Sequence, residues 1–191
     1  MEEPKSKVIE GIKSLISYIG DDPERDGLID TPKRFQKMLD ECLTSLAYAP
    51  PHIVSFKQKT KGQVIVGDIP FSSFCEHHII PFVGKAYVGY LPKDNNVIGL
   101  SKIPRIVDYF SHRLQIQERL TQQITDYLYT KIKGFKPNGV IVVLKAEHLC
   151  MTVRGIKKAD TVTTTSEIRG SYTDHALRDE FMMLSGVNKS L

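Results

Sequence analysis

Residues 75–78 of this chain are Cys-Glu-His-His, which bring a thiol, a carboxylate and two imidazoles together in an otherwise apolar stretch. Cys75 and His78 form a C-x-x-H pair, and His148 and Cys150 supply another imidazole and another thiol far along the chain. Zinc binds thiolate and imidazole readily. The residue types therefore predict a metal site built from two distant segments.

Two kinds of metal site fit these residues. In a catalytic site, Cys75, His78 and Cys150 would bind zinc and leave one position for water, with His77 and His148 beside the metal to move protons. In a structural site, one of those two histidines would be the fourth ligand. Zinc lowers the pKa of bound water from about 15.7 to about 7, so the catalytic arrangement would be hydrolytic. The spacing leaves both alternatives open, because C-x-x-H is a weak motif and Cys150 is remote.

Cationic residues near a predicted helix start could hold an anion. Ser101 is a good N-cap, and the free N–H groups that follow an N-cap attract negative charge. Lys102 and Arg105 lie three residues apart, on the same side of that helix. Arg154 would come near the metal if the chain stays extended after Cys150. A phosphate site is one interpretation, and a solvated basic face is the other.

Glu118 has an ordinary and a specific interpretation. Most carboxylates on a helix surface are simply solvated. A carboxylate can also accept two parallel N–H bonds, and the edge of guanine offers such a pair at N1 and N2. The sequence alone favours neither use.

Composition narrows the class of protein. The chain has 191 residues, 41% of them hydrophobic, a net charge of +4 and three cysteines. No long basic run predicts nucleic-acid binding, no apolar run is long enough for a membrane span, and the polar start is unlike a signal peptide. We expect a cytoplasmic protein with reduced thiols. Cys42 lies in a helical apolar stripe and is expected to be packed, and His52, His112 and His175 are expected to be ordinary core or surface residues.

Hydrophobic periodicity predicts the elements that position these residues. Helices are predicted over Val8–Ile19, from Pro32 with Thr31 as its cap, after Ser101, over Gln115–Ile132 and near the C-terminus. The predicted strands are Ile53–Phe56, Gln63–Ile69, Val83–Leu91, Val140–Glu147 and a threonine-rich run at 161–166. This order predicts an α+β fold whose antiparallel sheet has its helices on one face, preceded by an N-terminal helical pair. We expect a helical region at 1–51 and a catalytic domain at 52–191, and an oligomer that covers the sheet.

Five motifs in the same order resemble GTP cyclohydrolase I, from Asp22 to the C-terminal helix. They are Asp22–Arg34, Ser73–His78, Gly99–Lys102, Gln117–Gln123 and Glu147–Gly155. The resemblance implies the tunnelling fold (T-fold), subunits that pool their sheets into a barrel, and a toroidal homodecamer. It also implies conversion of GTP and water to 7,8-dihydroneopterin triphosphate and formate, which leads to folate or other pterins.

The resemblance also implies roles for individual residues. Cys75, His78 and Cys150 match the zinc ligands, and His77 and His148 match the histidines that handle protons. Glu118 matches the residue that binds guanine, and Gln117 and the Leu100 backbone match further contacts to the base. The residues that match the triphosphate contacts are Ser101, Lys102, Arg105 and Arg154, with Arg34 reaching in from a neighbouring subunit.

Two alternatives remain at this point. A nitrile reductase of the same fold would use a nicotinamide and lack the zinc ligands. A zinc-stabilised binding module would bind GTP without consuming it.

Overall fold

A computed structural model describes residues 2–43 and 45–188. In chain order the elements are α1 (Glu2–Tyr18), α2 (Thr31–Cys42), β1 (Ser55–Lys57), β2 (Val64–Cys75), β3 (Ile80–Leu91), β4 (Asn96–Ile98), α3 (Lys102–Ser111), β5 (Leu114–Gln115), α4 (Gln117–Asp126), β6 (Gly139–His148), α5 (Leu149–Thr152), β7 (Val162–Gly170) and α6 (His175–Leu184). Helix α4 continues into a π-helical turn at Tyr127–Lys131. Helices α1 and α2 form the predicted N-terminal pair.

The start of α2 differs by one residue from its prediction. Asp30 occupies the N-cap position that was predicted for Thr31, and Pro32 lies in the first turn as expected. A salt bridge of 2.9 Å from Lys5 to Asp40 joins the two helices. Both helices precede residue 51, and a domain boundary at that residue stays a prediction.

A five-stranded sheet in the order β5-β2-β3-β6-β7 forms the centre of the fold, and β1 pairs with β4 beside it. All neighbours are antiparallel except β2 and β5, which pair in parallel at Phe74–Leu114 and Cys75–Gln115. Strand β2 was predicted to end at Ile69 but continues to Cys75. A register shift between Val66 and Ile69 allows this continuation and leaves Asp68 at a φ of 50°. The longer strand places Cys75 at the end of β2, opposite Ile80 at the start of β3. The α+β class is confirmed.

Helices α3 and α4 cover one face of the sheet, as predicted. The fully buried side chains of this layer include Ile103, Ile106, Leu120 and Ile124 from the helices and Phe82, Val88, Val142 and Leu144 from the strands. Burying each such side chain stabilises the fold by about 1.5–3 kcal/mol.

Helix α6 lies on the opposite face of the sheet, where Phe181 packs with Tyr87 and Ile141, so the prediction of helices on one face holds for α3 and α4 but not for α6. Gly89 permits this contact, because a Cβ there would lie 2.7 Å from the Phe181 ring. No helix among the described residues is long and apolar enough to cross a membrane.

Candidate metal centre and substrate cleft

Cys75, His78 and Cys150 converge in the folded chain. Their ligand atoms all lie within 4.8 Å of one another, although the two cysteines are 75 residues apart in sequence. Cys75 ends β2, His78 lies in the turn before β3, and Cys150 lies in the short helix α5 that follows β6. Pairing of β3 with both β2 and β6 therefore assembles the three ligands.

The chemistry of this trio fits a zinc ion. Both thiols are buried, and burial raises the pKa of Cys150, with the neighbouring Cys75 raising it further. A divalent cation between them would offset that effect by stabilising both thiolates. Two thiolates and one imidazole form a zinc ligand set that leaves a position open.

His148 is held on two sides. It is the last residue of β6, opposite Phe82 of β3, and the two rings stack with centroids 4.5 Å apart and planes inclined by 3°. Nε2 of His148 lies 2.8 Å from Oε1 of Gln117. Burial lowers the pKa of His148, and the charge of Glu118 acts in the opposite direction. The ring is therefore fixed in place, and burial favours its neutral form.

Gln117 decides which nitrogen of His148 carries the proton. Its buried amide nitrogen donates to the carbonyl oxygens of Leu144 at 3.1 Å and Thr163 at 3.0 Å. Carbonyl oxygens only accept, so the amide cannot be turned around, and its own oxygen must face His148. Nε2 of His148 is therefore the donor, and in the neutral ring Nδ1 is left to accept a proton.

A cleft of about 300 Å³ opens beside the metal trio. Its lining residues are Cys75, His77, His78, Ile116, Gln117, Glu118, His148, Cys150, Met151 and Thr163. Nδ1 of His77 lies 3.7 Å from Sγ of Cys75. Glu118 is in the first turn of α4, where the helix dipole favours a negative charge. Both predicted proton-handling histidines and the predicted guanine-binding carboxylate thus face one cavity.

Arg154 reaches the trio by a route that was not predicted. The chain does not stay extended after Cys150, because it forms the helical turn α5. That turn brings the guanidinium back, so that Nη1 of Arg154 lies 3.0 Å from Nε2 of His78 and 3.2 Å from the carbonyl oxygen of Cys150. The prediction of proximity is confirmed, and its extended geometry is wrong.

The other predicted anion contacts lie elsewhere in the same chain. Ser101 occupies the N-cap position of α3, as predicted, although its side chain makes no capping hydrogen bond. Lys102 begins the helix, and the residues lining the cleft include neither of them. The opposite end of α3 lies near the metal trio. There the carbonyl oxygen of Ser111 accepts a hydrogen bond of 2.7 Å from Ser73, which is two residues before Cys75. A ten-residue helix is about 14 Å long from first to last residue. Leu100 and Arg105 lie at the same distant end of α3.

Arg34 does not line the cleft either. It lies on α2, exposed, and donates to the hydroxyl of Thr31 at 2.8 Å. Cys42, expected to be packed, is half-buried in the same helix, and burial raises its pKa. His52, His112 and His175 do not line the cleft.

The contacts that hold His148 and Gln117 in place were not predicted. Phe82 supports His148, Thr163 accepts from Gln117, and Thr165 accepts a further bond of 3.2 Å from the same amide. They enter through the pairing of β6 with its neighbours, which places Phe82 beside His148 and Thr165 beside Leu144. No local sequence signal marks them, apart from the β-prone threonine run.

Comparison with known proteins finds a family model and curated relatives that cover most of the chain. The family model for GTP cyclohydrolase I matches residues 8–186. A protein named GTP cyclohydrolase 1 from Carboxydothermus hydrogenoformans is 45% identical over 185 residues, covering 95% of each chain. The protein of that name from Listeria monocytogenes is 44% identical over 183 residues, covering 94% of this chain and 95% of the relative. Among solved structures, the apo archaeosine synthase QueF-Like is 17% identical, with a TM-score of 0.47 over 59% of this chain and 98% of that one.

Proposed function

The chain belongs to the GTP cyclohydrolase I family, and from that premise we propose that it converts GTP and water to 7,8-dihydroneopterin triphosphate and formate at a zinc site formed by Cys75, His78 and Cys150. Its enzyme class is GTP cyclohydrolase, with GTP as substrate. The observation that carries the chemistry is the position of the three ligands in the same cleft as Glu118. A metal and a guanine contact within one cavity are what ring hydrolysis of this nucleotide requires.

Zinc bound to the three ligands would supply an activated water for hydrolysis. The remaining work falls to side chains of the protein. Glu118 binds the N1 and N2 edge of guanine and so orients the ring toward the metal. Nδ1 of His148, free to accept, takes a proton from the attacking water and returns it to the ring nitrogen that leaves as the C–N bond breaks. The same transfer serves the second hydrolysis, which releases formate, and His77 shares this role beside Cys75.

The structure supports a revised role for Gln117, which the family resemblance had placed among the substrate contacts. Each of its polar atoms already has a partner within the protein. We therefore assign Gln117 to positioning His148.

Most of the expected triphosphate contacts do not line the cleft of their own chain. Ser101, Lys102 and Arg105 lie at the far end of α3, so we propose that they serve the cleft of a neighbouring subunit, together with the Leu100 backbone and Arg34. Leu100 is 62% exposed in the single chain, which suits a residue covered by a partner. Arg154, at the edge of the metal site, would meet the triphosphate from within the same chain.

An oligomer is also supported by the sheet. Among the described strands, β7 is an edge strand with one neighbour, β6, and its exposed residues alternate along the first half of its length. An unpaired edge is a template for pairing with another chain. We propose that copies join their sheets into a barrel, in the toroidal homodecamer that the family resemblance implies.

Neither alternative is favoured by a specific observation. A nicotinamide-dependent nitrile reductase would have no use for two buried thiols and an imidazole within 4.8 Å. A non-catalytic module could bind GTP at the same cleft, and turnover separates it from the enzyme.

The experiment is to incubate zinc-loaded protein with GTP and to measure formate together with pterin fluorescence after oxidation. We expect both products, their loss on chelation and their return with zinc. Tight GTP binding with neither product would overturn the proposal in favour of a binding module.

A further inference from the structure

We infer that Glu76 and Arg119 form a positioning pair that fixes the distance between the metal ligands and the guanine contact. This inference rests on the proposed function, because it concerns the alignment of one substrate between two halves of its site. Glu76 lies between Cys75 and His77, and Arg119 follows Glu118. Each partner is thus the immediate neighbour of residues that line the cleft, while neither lines it.

The two side chains make a two-pronged contact. Nη1 of Arg119 lies 2.6 Å from Oε2 of Glu76, and Nη2 lies 3.1 Å from Oε1. Such parallel bonds fix orientation as well as distance, because the guanidinium and the carboxylate are both planar.

A backbone bond runs beside this ion pair. The N–H of Glu76 donates to the carbonyl oxygen of Gln115 at 3.0 Å, which extends the parallel pairing of β2 with β5. The turn that carries Glu76 is therefore joined to β5 by the backbone bond and to the first turn of α4 by the ion pair. Gln115 lies two residues before α4, so the backbone bond holds the start of the helix near this turn, and the ion pair limits rotation of one on the other.

Solvent exposure argues that the ion pair serves alignment more than stability. The side chains of Arg119 and Glu76 are 40% and 32% exposed, and water screens pairs of this kind so strongly that they add little to folding. Alignment is more sensitive, because displacement of a reacting atom by about 1 Å can slow a reaction about 100-fold. Loss of the pair should therefore affect turnover far more than folding.

The test uses the zinc-loaded enzyme with Glu76→Gln and Arg119→Lys. We expect Glu76→Gln to lower kcat about tenfold or more while KM for GTP changes little, since Glu118 itself is intact. Zinc affinity, measured by competition with a chelator, should be unchanged, and the unfolding midpoint should shift by less than about 4 °C. Arg119→Lys keeps the positive charge but loses the two parallel N–H donors of the guanidinium, and it should give an intermediate kcat. The exchange Glu76→Arg with Arg119→Glu should recover part of the lost kcat.

Asp126→Asn is the matched control, because Asp126 pairs with Arg169 at 2.8 Å at the opposite end of α4. It should leave kcat unchanged. A Glu76→Gln enzyme with normal kcat would overturn the inference, as would a loss of kcat that is matched by loss of zinc. Wild-type protein that releases no formate would instead overturn the proposed function, so the two failures are distinguishable.

Discussion

The amide oxygen of Gln117 accepts a hydrogen bond from Nε2 of His148 at 2.8 Å, and this contact determines which ring nitrogen of the histidine is available for chemistry. The amide cannot reverse, because its nitrogen is already bonded to the carbonyl oxygens of Leu144 and Thr163. Stacking on Phe82 prevents the ring from tilting. A buried glutamine thereby leaves Nδ1 of His148 free to take up a proton.

Replacing Gln117 with methionine should separate this positioning role from folding. The variant removes the buried hydrogen bonds that the amide makes to Leu144, Thr163 and His148, so we expect a loss of about 1–3 kcal/mol in the free energy of unfolding. We also expect kcat to fall about 100-fold, as when a general acid–base group is lost. Denaturant unfolding measures the first effect, and nitrogen NMR of labelled His148 should show a mixture of tautomers. A single Nε2–H tautomer with normal kcat would contradict the assignment.

Substituting serine for Cys150 should abolish metal binding and formate release together. A hydroxyl is a poor zinc ligand beside a thiolate, and only two of the three predicted ligands would remain. Metal content after dialysis and formate release measure the two effects. Cys42→Ser is the matched control, since Cys42 lies half-buried in α2, and it should retain both zinc and activity. A Cys150→Ser protein that still releases formate would refute the ligand assignment.

Glu118→Gln should weaken recognition of the guanine edge. The carboxylate accepts two N–H bonds, whereas an amide offers one acceptor and one donor, so we expect kcat/KM for GTP to fall about 100-fold. Inosine triphosphate lacks the 2-amino group, and its smaller kcat/KM in the wild type should change less. Steady-state kinetics with both nucleotides test this. An equal loss for the two substrates would mean that Glu118 does not read the 2-amino group.

Residues of this site whose side chains carry a recognisable chemical group could be predicted, and the packing contacts that depend on strand register could not. The spacing of Cys75 and His78 and the N-cap at Ser101 depend on a few neighbouring residues. The contact of Phe82 with His148 instead depends on the register of β3 against β6. A slip of one residue would move the His148 side chain to the opposite face of the sheet from Phe82. The family resemblance implied that Gln117 contacts the substrate. Its hydrogen-bond partners within the protein are distant in sequence, so the sequence alone did not indicate a positioning role.

Secondary structure near Arg154 shows how tertiary context overrides local preference. Val153 favours a strand by propensity, and the chain nevertheless turns into α5 after His148. Strand β6 ends at His148, and the turn that follows brings Cys150 beside Cys75. The three residues that were predicted to bind the metal do lie together, but the backbone that brings them together was not predicted.

Gly84→Ala should disrupt the sheet that assembles the metal trio. A Cβ at Gly84 would lie 1.9 Å from the carbonyl oxygen of Lys145 and 2.7 Å from Cα of Ala146, and backbone atoms cannot move aside cheaply. We expect a loss of about 3 kcal/mol or more in unfolding free energy, with reduced zinc content. Gly62→Ala, where no atom lies within 4 Å of the added carbon, should be nearly neutral. Equal denaturation midpoints for the two variants would contradict the close approach of β3 and β6.

Mixing two inactive variants should restore activity if each cleft is completed by a second chain. Cys150→Ser removes the metal half, and Lys102→Ala with Arg105→Ala removes the anion contacts at the far end of α3. In one chain the two halves lie at opposite ends of a helix about 14 Å long. When both variants are co-expressed and assemble at random, about a quarter of the shared sites would carry two intact halves.

Formate release by the co-expressed mixture, compared with that of each variant alone, measures the restoration. Recovery near a quarter of the wild-type rate is the expected result, because only a site that takes its metal half from one chain and its cationic half from another is intact. If both halves came from the same chain, no mixture could contain an intact site, and activity would stay at the level of the separate variants. Absence of recovery in mixed assemblies, verified by differently tagged chains that purify together, would therefore place Lys102 and Arg105 outside the neighbouring cleft.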